Sequence, residues 1–174
     1  MESPRVILVD LHDEPKGTVE KIQAHEKPLL HRAFSVFIYK GDRLLIQQRA
    51  KGKYHCAGIW ANTCCSHPKP GEETLQAAQR RLKEETGIIH NELCELFAFT
   101  YHAVFDNGLH EYEYDHVIVG EYTEQKIDFD KNEIEQMAWV NVDELLEDMQ
   151  ENPCKYAPWF ITAAPKVIEW MKSK

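Results

Sequence analysis

Apolar and polar residues alternate in short blocks, and three blocks predict strands: Val6 to Val9, Ala33 to Tyr39 and Arg43 to Gln48. The last two are joined around Lys40-Gly41-Asp42 as a hairpin. A second hairpin is predicted from Cys94 to Phe105 and Glu111 to Tyr122, because the Asp106-Asn107-Gly108 run between them contains Asn-Gly, a strong turn signal. Between the hairpins the period lengthens. Leu75, Ala78, Gln79 and Leu82 recur at helical spacing across Glu72 to Thr86, and Gly87 follows, the residue type that ends helices in a left-handed conformation. Val142 to Gln150 and Pro158 to Met171 predict two further helices. The second is expected to bend or break at Pro165, since proline lacks the amide hydrogen and clashes with the preceding turn.

With 174 residues, 43% of them hydrophobic, the chain can build one sizeable core but hardly two. No repeat, low-complexity tract or Gly/Ser linker divides it, so a single domain over residues 1–174 is expected. The opening Met1-Glu2-Ser3-Pro4-Arg5 has no apolar stretch of signal-peptide type, and runs such as Val36 to Tyr39 and Val117 to Val119 are too short to span a bilayer. A soluble protein that does not engage membranes is expected. Five cysteines, two of them adjacent, cannot all pair, which fits a reducing cytoplasmic setting in which thiols serve chemistry. A net charge of −9 opposes a sequence-independent grip on nucleic acid, which needs a basic surface. It leaves room for a local basic pocket, and Arg49, Lys51 and Lys53 in one segment and Arg80, Arg81 and Lys83 in another are candidates.

Glu111 and Glu113 lie two apart on a predicted strand, so both carboxylates project from one face and Tyr112 and Tyr114 from the other. Two adjacent acids need a cation or must share a proton. The isolated pattern also suits an edge strand with solvated acids. Histidines shift the balance: His25, His31 and His67 upstream, and His102, His110 and His116 around the acid strand. Three imidazoles with two carboxylates suit a six-coordinate divalent ion, Mg²⁺, Mn²⁺ or Zn²⁺, with histidine ligation leaning away from Mg²⁺.

The stretch Arg80-Arg81-Leu82-Lys83-Glu84-Glu85-Thr86-Gly87 sets a carboxylate pair at the negative end of a helix, which a cation would offset. This resembles the Nudix box: Gly71, Arg80, Leu82, Glu84, Glu85, Gly87 and Ile88 fall in register with it. Ala77 and Arg81 stand where two of its glutamates belong, so the carboxylate cluster of a pyrophosphohydrolase is incomplete. Across nearly its whole length the chain resembles the type I isopentenyl-diphosphate isomerases, the branch of the Nudix fold that interconverts isopentenyl and dimethylallyl diphosphate. The resemblance rests on Gly17-Thr18-Val19-Glu20-Lys21 followed by His25, on Leu30-His31-Arg32-Ala33-Phe34-Ser35, and on Gly58-Ile59-Trp60-Ala61-Asn62-Thr63-Cys64-Cys65-Ser66-His67-Pro68. Tyr101, Glu111-x-Glu113 and Ala157-Pro158-Trp159 complete it. Their order and spacing together are specific.

The resemblance implies an α/β fold of Nudix type, a mixed β-sheet sandwich with helices on both faces. It implies a divalent metal held by His25, His31, His67, Glu111 and Glu113, and a Mg²⁺ near Glu85 accompanying the substrate diphosphate. Lys21, Arg49, Lys53 and Arg81 match the family's diphosphate-facing positions, and Ser66 and Trp159 join the substrate site. Cys65, two residues before the histidine, matches the catalytic cysteine; Cys64 is an extra neighbour without an assigned role. The reaction protonates C4 of an alkene, passes through a tertiary carbocation at C3 and removes a proton from C2, so it needs an acid on one face and a base on the other. In one arrangement Glu113, helped by Tyr101, delivers the proton and Cys65 as thiolate removes one; the reverse assignment is the alternative. Trp159 is the candidate aromatic face for the cation, with Trp60 and Tyr101 as other walls, and its competing role is to anchor the last helix in the core. The expected partner is a small isoprenoid diphosphate, and the expected state a monomer or weak oligomer. Two other classes compete: a nucleotide-diphosphate hydrolase, against which Ala77 and Arg81 count, and a non-catalytic metal-binding module.

Overall fold

The computed structural model describes residues 3–52 and 57–174; Lys53, one of the expected diphosphate contacts, and Cys56 lie outside the described residues. In chain order the elements are β1 (Arg5–Val9), β2 (Pro15–Glu20), α1 (Lys21–Glu26), β3 (His31–Lys40), β4 (Arg43–Arg49), β5 (Trp60–Ala61), β6 (Cys64–Ser66) and α2 (Thr74–Thr86). They continue with β7 (Cys94–Val104), β8 (His110–Glu121), β9 (Ile134–Asn141), α3 (Val142–Glu151) and α4 (Pro158–Lys172).

β3 organises the sheet. Its run HRAFSVFIYK is almost wholly buried, the pattern of a strand covered on both faces. One edge pairs in parallel with β8 from His31↔Glu113 to Tyr39↔Glu121. The other meets β1 at His31, β6 from Phe34 to Val36 and β4 from Ile38 to Lys40, all antiparallel. β7 closes on β8 through the expected hairpin, and β9 lies antiparallel along β4. The result is a mixed, branched sheet. Phe34, Val36 and Ile38 point to the side where α2 lays down Ala77, Ala78 and Leu82. Phe37 and Tyr39 point the other way, into a cluster with Leu145 of α3 and Phe160 and Val167 of α4. Helices therefore cover both faces. Among the described residues no helix is long and apolar enough to cross a membrane.

Most boundaries fall within a residue or two of expectation, and two of the helices depart from it instructively. α2 begins at Thr74, not Glu72: Glu73 has extended dihedrals, and the Glu72 amide turns back to the Lys69 carbonyl at 2.9 Å, while the Glu72 carboxylate accepts from Arg80 Nε at 2.8 Å. α4 runs unbroken through Pro165. The proline forfeits one intrahelical hydrogen bond, while Ala163, Ala164, Val167 and Ile168, all buried around it, keep the helix seated. Gly87 ends α2 with φ of 78°, and a Cβ there would come within 3.2 Å of the Asp128 backbone. That close approach is used: the amides of Asp128 and Asp130 donate to the carbonyls of Thr86 and Glu85 at 2.9 and 2.7 Å, occupying groups the helix end leaves open.

Candidate active site

α1, β3, β6 and β8 converge on one buried cluster. Ligand-capable atoms of His25, His31 and His67 all lie within 4.8 Å of one another, an arrangement able to hold a metal ion. Strand register does much of the assembly, because His31 and Glu113 are direct partners across β3 and β8. Glu113 Oε2 lies 2.8 Å from His67 Nε2 and 3.3 Å from His31 Nε2. His25 Nδ1 sits 2.9 Å from the His110 carbonyl and His31 Nδ1 2.8 Å from that of Leu29. Only an N–H can meet a carbonyl, so each ring donates from Nδ1 and turns its Nε2 lone pair inward. This is the usual way a protein sets the tautomer of a metal-binding histidine.

Charge in the cluster is poised for a cation. Glu111 and Glu113 alternate with exposed or half-exposed neighbours on β8, and both are buried. Burial, reinforced by the Glu113 charge, pushes Glu111 well above the carboxylate range. Burial acts on Glu113 in the same sense, but the neighbouring imidazoles of His31 and His67 outweigh it and hold that group well below its ordinary value. Burial drives His67 down to about 3. Three imidazoles within reach of one another, beside two buried acids, form a donor set able to hold a divalent ion.

Next to this cluster one cavity brings together Lys21, Arg49, Arg81, Cys65, Ser66, Glu85 and Trp159 with His25, His67, Glu111 and Glu113. Nε of Arg49 and Nε of Arg81 are buried without a hydrogen-bond partner among the described residues. Arg81 also grips Glu84 at 2.8 Å and Glu85 at 2.6 Å. It thereby supplies from within the helix the positive charge that two acids at its negative end require. Ala77, the other departure from the Nudix box, is fully buried in the core under α2.

Cys65 is half-buried and lines the cavity, whereas Cys64 points to the opposite side of β6. Cys64 is fully buried against α2, its Sγ 3.6 Å from Glu85 Oε2. Burial, with the Asp115 charge next, pushes the Cys65 thiol far up. Trp159 is both core and wall: it is 3% exposed, lines the cavity, and has the Arg49 guanidinium 5.7 Å from its ring centre. Tyr101 packs edge-on against it at 6.3 Å and stands directly opposite Glu113 across β7 and β8. His102 and His110 stack at the protein surface, and His116 pairs with Asp13 and Glu95, so these three stay out of the cluster.

Some buried polar residues escaped the sequence reading. Asp115 continues the alternation of Glu111 and Glu113 and accepts hydrogen bonds from Ser35 Oγ at 3.0 and 2.8 Å. Asn62 links Cys65 to Trp159. The period-two spacing signalled Asp115; the partners of Asn62, far apart in sequence, were not legible.

A family model described as NUDIX domain matches residues 29–160, which places the chain in the class that its sheet, its α2 box and its buried acids define. A Deinococcus radiodurans protein of known structure, DR0079, superposes with a TM-score of 0.72 over 93% of this chain and 98% of that one, at 17% identity; it shows the fold alone. Sequence relatives are narrower. The chain is 45% identical to the isopentenyl-diphosphate Delta-isomerase of Pectobacterium atrosepticum over 99% of its own length and 96% of that protein. It is 46% identical to isopentenyl-diphosphate Delta-isomerase 1 of Aromatoleum aromaticum over 94% and 92%. The chain belongs to the isopentenyl-diphosphate Delta-isomerase family.

Proposed function

We propose that this protein interconverts isopentenyl and dimethylallyl diphosphate by proton addition at C4 and proton removal at C2. The observation that carries the reading is the convergence of Cys65, Glu113 and Trp159 with three cationic side chains on one cavity. Lys21, Arg49 and Arg81 suit the diphosphate, with Ser66 as a further polar contact. His25, His31, His67, Glu111 and Glu113 would hold one divalent ion, Mn²⁺, Zn²⁺ or Mg²⁺, and Glu85 a Mg²⁺ beside the diphosphate. Bound there, the ions neutralise buried carboxylate and phosphate charge.

Resting hydrogen bonds support a direction for the proton transfers. The Cys65 sulfur faces the Asn62 carboxamide oxygen at 3.1 Å, a contact suited to a thiol, while Glu113 is surrounded by imidazoles, which suits a carboxylate. From isopentenyl diphosphate, then, the Cys65 thiol gives its proton to C4, the positive charge forms at C3, and Glu113 takes a proton from C2. The reverse reaction swaps the roles. Tyr101, opposite Glu113, is placed to assist the carboxylate. Bound substrate would have to displace water from the cavity, so that the cation is not captured as an alcohol. An aromatic face stabilises such a cation by about 2 kcal/mol when desolvated, worth about thirtyfold in rate. Trp159→Ala is accordingly expected to lower kcat by at least that factor in folded protein; full turnover would remove Trp159 from the mechanism.

His67→Asn and Glu111→Gln are each expected to lower bound metal after dialysis against a weak chelator, since the first removes an imidazole and the second the negative charge from one of the five proposed ligands. Unchanged stoichiometry in both variants would move the metal elsewhere. The function itself is tested by proton NMR of reduced, metal-replete protein with isopentenyl diphosphate and Mg²⁺ in deuterated water. Dimethylallyl signals with deuterium entering at C4 and C2 support it. No conversion, with phosphate or pyrophosphate released from nucleotide diphosphates instead, would replace it by hydrolysis.

A further inference from the structure

Asn62 is fully buried in the turn between β5 and β6, and it lies outside the set of residues that line the cavity. Its carboxamide makes four hydrogen bonds. Nδ2 donates to the carbonyls of Val36 at 3.1 Å and Cys64 at 2.9 Å; Oδ1 accepts from Trp159 Nε1–H at 3.0 Å and from the Cys65 thiol at 3.1 Å. A carboxamide offers two N–H donors and an oxygen with two lone pairs, so its capacity is filled. Its orientation is also determined. Carbonyls only accept and an indole only donates, so turning the amide over would set oxygen against two oxygens and N–H against N–H.

The two backbone anchors lie on β3 and β6, strands paired from Phe34↔Ser66 to Val36↔Cys64. The amide is thus built into the sheet, while the groups it holds come from two different elements, β6 and α4. We infer that Asn62 is a positioning residue of the isomerase. Its one oxygen ties the Cys65 sulfur and the Trp159 indole to a common point, so the group exchanging a proton with substrate and the ring facing the cation keep one fixed separation. This inference rests on the isomerase reading. It predicts damage to kcat rather than to substrate affinity, because the cationic side chains that suit the diphosphate are not bonded to Asn62. A misplacement of the order of 1 Å at reacting groups costs about 10²-fold in rate.

Asn62→Leu, close in shape and without hydrogen bonds, removes the tie. In the substrate-free, ¹⁵N-labelled protein the Trp159 indole N–H resonance, assigned with Trp159→Phe, is expected to move upfield in Asn62→Leu. Its kcat on isopentenyl diphosphate is expected to fall about 100-fold with KM within about threefold, the split that misalignment rather than lost binding produces. An indole resonance that stays in place, or one that moves while kcat is unchanged, overturns the proposal. If Asn62→Leu does not fold, 3-benzothienylalanine incorporated at position 159 probes the same oxygen from the other side, since it keeps the fused bicyclic ring and replaces only the indole N–H by sulfur. A fall in kcat at constant KM then supports the tie, and wild-type kcat overturns it. Failure of the isomerase reading shows separately, as absence of turnover in the wild-type protein, whereas the indole resonance is read without substrate.

Discussion

Cys65→Ala is expected to lower kcat by about 10⁴-fold, the upper end of what a positioned acid or base contributes, with fold and metal content unchanged. The upper end applies because the sulfur lines the cavity and alanine leaves no proton donor at that position. Cys64→Ala is the control that the sequence alone could not provide. Its sulfur lies on the other face of β6, packed under α2 with one long contact to Glu85. Truncation should remove packing and a weak hydrogen bond, a cost of about 1 kcal/mol in stability, and leave turnover within about tenfold. Turnover by NMR, metal content by elemental analysis and circular dichroism together read the comparison. Equal losses from both substitutions would show that position in the cavity does not distinguish the two thiols.

The contrast between these neighbours shows what the sequence conveys and what it withholds. Alternation along a strand is a local property, so the β7–β8 hairpin, the common face of Glu111 and Glu113, and the helix ending at Gly87 were all readable from spacing. The short strands β5 and β6 carry two and three residues, too few for a period, and gain their place only by pairing with β4 and β3. β2 opens with a proline and is mostly exposed, so it offers no apolar stripe and is defined by its partner β1. α4 carried a proline that local rules treat as a break, and tertiary packing of its buried face overrode that rule.

At the site, composition and motif resemblance brought forward the candidate residues that gather around the cavity, because histidine, cysteine and glutamate announce themselves. The residues that hold them were quieter. Ser35 and Asp115 read as ordinary strand positions until β3 and β8 are set side by side, and Asn62 reads as part of a turn until α4 delivers Trp159 to it. Non-local contact of this kind has no signature in one sequence. Arg81 is the converse: its departure from the Nudix box was visible, and in the structure it is a half-buried guanidinium that pairs with Glu85 and lines the cavity.

Glu113→Gln is expected to be as severe as Cys65→Ala, but for two reasons that can be separated. The carboxylate is central to the histidine cluster, with Oε2 2.8 Å from His67 and 3.3 Å from His31, so its loss weakens the metal. In the proposed mechanism it also receives the proton from C2. Glu111→Gln supplies the comparison, because Glu111 shares the strand face and the proposed ion but has no part in the proposed proton transfers. With Mn²⁺ raised until both variants are metal-replete, Glu111→Gln should recover to within about tenfold of wild type. Glu113→Gln should stay about 10³-fold or more below it, a deficit in the range of a lost general base. A glutamine in place of Glu113 keeps the shape and a carbonyl oxygen for the ion, yet it cannot accept a proton from carbon. Deuterium exchange at C2 reports that step directly: it should vanish in Glu113→Gln and persist in metal-replete Glu111→Gln. If added Mn²⁺ restored both variants equally, Glu113 would be a ligand alone, and the base would have to be sought among the other groups of the cavity.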